Sequence, residues 1–427
     1  MPVMPRPRPF TDLPPEVAIL SSISFTVALG YGIVAPAIPV FGRQFGVSIT
    51  AAASVISAFA LMRIAGALPA GRLVDRFGEH KIMATGIAIV AVSSVLAGLS
   101  GTFAELIALR GIGGLGSAMF GVSGQTLLLR SVPARLRGRA SGLYTGGFLL
   151  GGITGPALGG LIAAWSLRAP FFIYGAMLAV PALIAAVRLH DTQAVKAAEA
   201  EQGRVGRTQA GAGKVLRTSA YRAAAAANLA DGFAVLGVRS AIIPLFVRYV
   251  LNEPVIWTGI GFGVVAAVNA ATLLPGGKIA DTLGRRPVIV AGCAIGGSSM
   301  AMLALLPGLW GYLVSLAVLG LGSGLLDVAP SAMIGDLIGG LPGQREQSGR
   351  PNQGGIVVAS FQMAGDVGSV AGPVAVGFLA ASLSYQAAFL LAAAVLGLAA
   401  LIGLAAQETR HVHAPQAAGA RPHADPA

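Results

Sequence analysis

Among the ionisable residues inside long apolar stretches of the sequence, where a charge is unusual, four are candidates for handling protons. Three are acids, Asp231, Asp327 and Asp366, and the fourth is Arg110. Charged side chains in such surroundings are costly and by default mark functional sites. A carboxyl group there can take up and release a proton, and a nearby arginine favours its charged form. Asp231 and Arg110 could also form a static buried ion pair, and the sequence leaves that alternative open.

The elements that carry these residues are predicted to be membrane-spanning helices. The chain has 427 residues, of which 55% are hydrophobic and only 11% are charged, and its mean hydropathy is +0.76. Apolar stretches of roughly 20 residues recur, and each is long enough to cross a bilayer as a helix. The 60 glycines agree with this, because membrane helices pack closely through small residues. The composition therefore excludes a soluble multidomain protein.

The basic residues indicate how the chain is oriented. A net charge of +12 could suggest a nucleic-acid partner. Most of the 29 lysines and arginines, however, fall between the apolar stretches, on the side that is cytoplasmic if both termini are cytoplasmic. Arg63 and Arg239, like Arg110, fall within predicted helices. The pattern predicts a multi-pass protein of the cell membrane with cytoplasmic termini and no nucleic-acid partner.

The order of apolar and polar segments predicts two bundles of six helices each. Residues 17–187 hold the first bundle and residues 222–406 hold the second. Polar segments predict a cytoplasmic tail at 1–16, a cytoplasmic linker at 188–221 and a second cytoplasmic tail at 407–427. We expect an all-α integral membrane protein that works as a monomer in the lipid bilayer.

The predicted helices contain no motif for a cofactor, a metal or catalysis. Gly111, Gly113 and Gly116 match the spacing of a dinucleotide-binding fingerprint, but that fingerprint requires a preceding strand. Inside an apolar helix these glycines are better explained as packing contacts. The single cysteine, Cys293, excludes an internal disulfide. We therefore expect no cofactor, no metal site and no enzymatic activity.

A short basic sequence occurs twice, at matching places in the two bundles. The first copy, Gly71-Arg72-Leu73-Val74-Asp75-Arg76-Phe77-Gly78, is predicted as part of a cytoplasmic loop that extends to Lys81. The second copy contains Gly277, Asp281, Gly284 and Arg285. The same offset separates Asp75 from Asp281 and Gly78 from Gly284. An ordinary basic hairpin explains one copy, but two copies at one offset indicate a duplicated membrane unit.

Glycines in the predicted fifth helix form the most specific pattern in the chain. Gly151, Gly155 and Gly159 are spaced by four residues, so they form one ridge where another backbone can approach closely. Pro156 removes a helix hydrogen bond and favours a kink. The full string comprises Gly142, Gly151, Gly155, Pro156, Gly159 and Gly160. A generic packing face explains the spacing of four, but it does not explain the whole string.

The basic loop and the glycine string resemble motifs of the Major Facilitator Superfamily. The loop resembles the segment between the second and third helices of that family, and the string resembles a fifth-helix motif typical of its exporters. The resemblance implies twelve helices in two pseudo-symmetric bundles, with a central cavity lined by helices one, four, seven and ten. It also implies that loop residues latch the two halves together on the cytoplasmic side. These residues would be Gly71, Asp75, Arg76, Gly78, Asp281, Gly284 and Arg285.

For function, the resemblance implies export of a small, mostly apolar compound in exchange for protons, as in multidrug antiporters. Asp231 is then the first candidate for proton binding, with Arg110 as its partner, and Asp327 and Asp366 are further candidates. Arg63 and Asp366 would lie on neighbouring helices of opposite halves, where an ion pair would hold the cytoplasmic side closed. Each of these two charges could instead face water in the cavity. The glycine ridge would pack against helix eight.

Two other functions stay open at this point. An uptake symporter for a polar solute, such as a sugar or a nucleoside, would share the architecture. Such carriers usually have more polar cavity helices, whereas helices one, four and ten here are poor in Asn, Gln, Asp and Glu. A membrane-bound enzyme would require a catalytic cluster, which the predicted helices do not contain. The sequence identifies no substrate-binding residue, since the apolar residues that line pockets for many compounds do not indicate which compound binds.

Overall fold

Twelve long helices make up the part of the chain that the structure describes, and no strand occurs in it. The structure is a computed structural model that describes residues 14–132, 136–188, 212–306, 308–339 and 355–409. Most of both predicted tails and most of the predicted linker lie outside these residues, although Pro15 and Glu16 of the first tail already belong to the first helix. All twelve helices are long and apolar enough to cross a membrane. This architecture is expected, because a chain in a bilayer must satisfy its backbone hydrogen bonds internally.

The first half of the chain contributes six helices. They are α1 (Pro15–Val34), which continues after a short break as Ile38–Arg43, α2 (Ile49–Phe77), α3 (Glu79–Leu99), α4 (Phe103–Ser131), α5 (Arg137–Trp165) and α6 (Ala169–Arg188). Polar side chains cap two of them. Ser48 accepts a hydrogen bond from the Ala51 amide at the start of α2, and Thr102 and Glu105 form a capping box at the start of α4.

The second half contributes six more helices, preceded by the short helix Ala212–Leu216. They are α7 (Ser219–Tyr249), α8 (Ile256–Leu283), α9 (Arg285–Leu305), α10 (Leu309–Gly339), α11 (Gly355–Ser382) and α12 (Tyr385–Leu404). Helix α7 is irregular, because the π-helical segment Gly232–Val238 interrupts its α-helical hydrogen bonding. Such segments often occur at functional sites.

The repeated basic sequences are mostly helical, so the prediction of a loop at residues 71–81 is wrong. Helix α2 continues through Phe77 and α3 begins at Glu79, which leaves only Gly78 between them. Gly284 takes the same place between α8 and α9. Both glycines have positive φ angles, 88° and 111°, which residues with a side chain rarely adopt. Each turn therefore consists of a single glycine residue.

The two halves repeat the same helix packing. Helix α1 packs on α5 in the first half, as α7 packs on α11 in the second. Likewise α3 contacts α4 and α6, as α9 contacts α10 and α12. The halves meet mainly along two helix pairs, α2 with α11 and α5 with α8. The duplication indicated by the repeated basic sequence thus extends to the packing of the whole bundle.

The glycine ridge of α5 packs against α1, so the prediction that it faces α8 is wrong. All three ridge glycines face the α1 backbone: Gly151, Gly155 and Gly159. A side chain at Gly155 would come within 2.8 Å of the Gly32 Cα atom. Pro156 lies inside α5 and its ring also meets Gly32, whereas Gly142 has no neighbour within 4 Å. On another face of α5, Gly160 and the Pro156 carbonyl oxygen lie against Gly259 of α8.

The bundle is closed at one end and open at the other. We call the end that carries Trp165 and Trp310 the tryptophan end, and the end that carries the Gly78 and Gly284 turns the basic end. At the tryptophan end the central helices are fully buried, over residues 32–42 in α1 and 240–247 in α7. Towards the basic end the same helices have exposed residues, such as Ser22. The described hydrogen bonds and the ion pair that join the two halves all lie between mid-helix and the tryptophan end, so the space between the halves opens at the basic end.

Candidate functional site

Six charged side chains lie in the middle of the described membrane helices, away from the helix ends. They are Arg63, Arg110, Asp231, Arg239, Asp327 and Asp366. Three are basic and three are acidic, so their formal charges cancel. The structure divides them into three groups: an acidic cluster in the second half, an isolated arginine in the first half, and an ion pair between the halves.

The acidic cluster is built where α10 approaches α8. Asp327 of α10 is exposed to the space between the halves, and its Oδ2 atom accepts a hydrogen bond of 2.7 Å from the Asn269 side chain of α8. The same amide donates to the Ser323 hydroxyl at 3.0 Å. Glycines permit this approach, since a side chain at Gly324 would lie 2.9 Å from the Asn269 carbonyl oxygen. A hydrogen bond from a neutral amide helps to hold the carboxylate in a fixed direction.

Helix α7 brings a second carboxylate and a cation to this cluster. Asp231 ends the first α-helical part of α7, and Arg239 follows the π-helical segment. The charges of Asp231, Asp327 and Arg239 lie close enough to interact electrostatically. The Arg239 guanidinium also stands over the Phe262 ring, 5.4 Å from its centroid. Its Nε atom and the Oδ1 atom of Asp231 are buried without a described hydrogen-bond partner.

Arg110 is isolated from the acids. Its side chain is buried on α4, and its guanidinium stands over the Phe59 ring at 4.6 Å. Its electrostatic neighbours are the phenol groups of Tyr31 and Tyr174, and its Nε and Nη2 atoms have no described hydrogen-bond partner. The expected pairing of Arg110 with Asp231 is therefore not made in this conformation. Arg239 takes that place, although the sequence analysis gave it no role.

The third group is an ion pair between Arg63 of α2 and Asp366 of α11, which joins the two halves. Two hydrogen bonds continue this contact towards the tryptophan end. The Ser57 hydroxyl donates to the Val370 carbonyl at 2.7 Å, and the Thr50 hydroxyl donates to the Gly377 carbonyl at 3.0 Å. The pair thus lies at mid-helix, next to the closed tryptophan end. The expected pairing of Arg63 with Asp366 is made, but it is made while the basic end is open, so it does not close that end in this conformation.

The residues expected to latch the basic end make no described contact between the halves. Asp75 and Arg76 are exposed, and Gly71 has no neighbour within 4 Å. The second copy forms a network, and its described contacts lie within the second half. Arg285 pairs with Asp281 and, at 3.1 Å, with Asp336, while Glu408 accepts hydrogen bonds from the amides of Arg285 and Arg286. A latch between the halves stays a prediction.

The sequence analysis identified only some of the residues in the acidic cluster. Asp231 and Asp327 were found because acids are rare in apolar helices. Asn269 was missed, although it stands alone as an amide in the apolar stretch of α8. Within the described residues, no group of three or more His, Cys, Asp and Glu residues could hold a metal ion. The cluster is suited to binding a proton or an organic ligand.

Curated relatives match part of the chain. Multidrug resistance protein 1 of Bacillus subtilis is 30% identical over 178 residues, covering 42% of this chain and 46% of that protein. Quinolone resistance protein NorA of Staphylococcus aureus (strain MRSA252) is 29% identical over 181 residues, covering 41% and 45%. The chain thus spans about half the length of the curated relatives that it matches.

Solved structures match nearly the whole chain. A bacterial homologue of the human lysosomal transporter Spinster, in an inward-facing and occupied conformation, has a TM-score of 0.74 at 14% identity, covering 94% of this chain and 97% of that one. The model of the Major Facilitator Superfamily matches residues 20–344 and 232–426, which together include both halves. With its twelve membrane helices and its duplicated packing, the chain belongs to the Major Facilitator Superfamily, whose members are membrane transporters and not enzymes.

Proposed function

We propose that this transporter exports a small, mostly apolar compound in exchange for protons by alternating access. The observation that carries the proposal is the acidic cluster in the middle of the membrane. There Asp327 is exposed to the cavity and held in place by a hydrogen bond from Asn269. Its carboxylate also lies close enough to Asp231 and Arg239 to interact with them electrostatically. A carboxylate that is reachable from one side and placed at mid-membrane is suited to carrying a proton between sides.

The mechanism follows from the charges in the cluster. Two carboxylates and one arginine leave one negative charge uncompensated, and such a charge is costly where water is scarce. One proton would remove it. The substrate would compete with that proton for the same site, so that binding of one releases the other. Exposure of the cluster to alternate sides would then couple proton entry to substrate exit.

Three further assignments belong to this proposal. The basic end would face the cytoplasm, with both chain termini, because basic residues are retained on that side. The described conformation would then be open to the cytoplasm, where an exporter loads its substrate. Export is also supported by the relatives named for multidrug and quinolone resistance. The protein would work as a monomer in the cell membrane, with its substrate and protons as partners.

Everted membrane vesicles test this proposal directly. Norfloxacin, a fluorescent quinolone, would be added outside, and an inward-acid pH gradient would be imposed. Wild-type vesicles should accumulate the compound, and collapse of the gradient should release it. Asp231→Asn and Asp327→Asn should each abolish accumulation, whereas Glu253→Gln should retain it. Glu253 is a suitable control because it lies between α7 and α8, outside the cluster.

Two results would contradict the proposal. If either Asn variant accumulates the compound against the gradient as well as the wild type, that acid does not carry the coupling proton. If a sugar or nucleoside moves with protons into right-side-out vesicles instead, the protein is an uptake symporter. Size-exclusion chromatography of each variant in detergent would show that the protein remains folded.

A further inference from the structure

The surroundings of Arg239 are those that an organic cation would require. Its guanidinium stands 5.4 Å from the centroid of the Phe262 ring, and cations bind favourably over such faces. Its charge interacts with the carboxylates of Asp231 and Asp327. An aromatic ring beside two acids is a common arrangement for holding a cation. In this protein the chain's own arginine already occupies the favourable position.

The charge balance of the central region also disfavours a cationic ligand. Without Arg239, the two acids of the cluster would carry two negative charges. With it, they carry one, and Arg110 adds a positive charge in the first half that has no acidic neighbour. Arg63 and Asp366 neutralise each other. The central region as a whole therefore offers no excess of negative charge that would favour a cation over a neutral compound.

We infer that Arg239 is a specificity-determining residue that excludes organic cations from the central site. Solutes that are uncharged, or whose own charges balance, are accepted in their place. The inference rests on the proposed function, since it names the class of compound that the export site accepts. It assigns to Arg239 the place of a ligand cation, held over Phe262 and beside Asp231 and Asp327.

Binding of tetraphenylphosphonium tests this inference. This compound is a permanent, lipophilic monocation, so its charge does not change with pH. Purified protein in lipid nanodiscs would be equilibrated with the radiolabelled compound at one fixed pH, without any gradient. Wild type, Arg239→Gln, Arg239→Lys and Arg248→Gln would be compared. Arg248 is a matched control, because it lies on the same helix but is exposed at the tryptophan end.

We expect weak binding to the wild type and binding at least roughly tenfold tighter to Arg239→Gln. A gain of this size is the minimum expected when a positive charge several ångströms away is removed from a site of low dielectric constant. Arg239→Lys and Arg248→Gln should bind as weakly as the wild type. This pattern would show that the charge at position 239, and not the length of the side chain, excludes the cation.

Several results would overturn the inference. Tight binding to the wild type does so by itself, whatever the variants show. So does a folded Arg239→Gln protein without any gain, or an equal gain in Arg239→Lys. If Arg239→Gln does not fold, Arg239→Met carries the same expectation, since its unbranched chain can still pack on Phe262. Proton coupling is not involved in this assay, so a failure here is distinguishable from a failure of proton-driven export in vesicles.

Discussion

Removal of the ion pair between Arg63 and Asp366 should shift the transporter away from the conformation that is open at the basic end. The pair joins α2 to α11 and is present while the tryptophan end is closed. It lies in line with the hydrogen bonds from Ser57 to Val370 and from Thr50 to Gly377. Opening of the tryptophan end separates these groups, so the pair stabilises the described conformation relative to the opposite one.

The size of the effect follows from the exposure of the two side chains. Arg63 and Asp366 are 39% and 32% exposed, so water weakens their attraction. Two unit charges 4 Å apart attract each other by ~4 kcal/mol at an effective dielectric constant of ~20, and by ~1 kcal/mol in bulk water. Measured exposed pairs contribute only ~0.2–1 kcal/mol. We therefore expect a coupling energy of about 1 kcal/mol, which changes the ratio of the two conformations roughly fivefold.

Cysteine labelling in everted vesicles would measure this shift. Ser22→Cys places a thiol on an exposed part of α1 near the basic end, and the single native cysteine, Cys293, is buried. Arg63→Ala, Asp366→Ala and the double variant would be compared in this background. Each single variant should be labelled more slowly by a membrane-impermeant maleimide. The double variant should be no slower than either single variant, because the pair is already lost in each of them.

A matched control and a refuting result complete the design. Arg72→Ala removes an exposed arginine from the same helix and should leave the labelling rate unchanged. Exchange of the two charges, in Arg63→Asp with Asp366→Arg, should restore part of the rate. Strictly additive effects of the two alanine variants would refute the reasoning, since they would show that the side chains do not interact.

Two more predictions concern the helix packing and the acidic cluster. Gly155→Leu should reduce folded yield and transport, because the new side chain would meet Gly32; overpacking of this kind costs ~1–3 kcal/mol. Gly152→Leu should be tolerated, since Gly152 is exposed and has no neighbour within 4 Å, and equal melting temperatures of the two variants would contradict this account. Asn269→Leu should lower pH-driven transport at least tenfold, because hydrogen bonds to a charged group contribute ~1.5–3 kcal/mol. Thr272→Val is its control, as Thr272 donates to its own helix, and unchanged transport in Asn269→Leu would remove Asn269 from the site.

The sequence was sufficient to predict the membrane class, the twelve helices and the duplication. Each of these depends on local composition or on a repeat, and both are readable without coordinates. The acids at positions 231 and 327 were identifiable for the same reason, since a charge within an apolar stretch is conspicuous wherever the helix packs. The predicted loop at residues 71–81 failed because helix propensity continued through the polar residues, so that only Gly78 breaks the helix.

Only the tertiary structure determines which helices and side chains contact one another. A ridge of glycines spaced by four shows that some backbone approaches α5, but not that this backbone is α1. Arg110 and Arg239 are equally conspicuous in the sequence, yet only Arg239 lies among the acids. The reason is physical: hydrophobicity within one segment determines that the segment spans the bilayer. The direction in which each face points depends on how that helix packs with the other eleven, and so does the end at which the cavity opens.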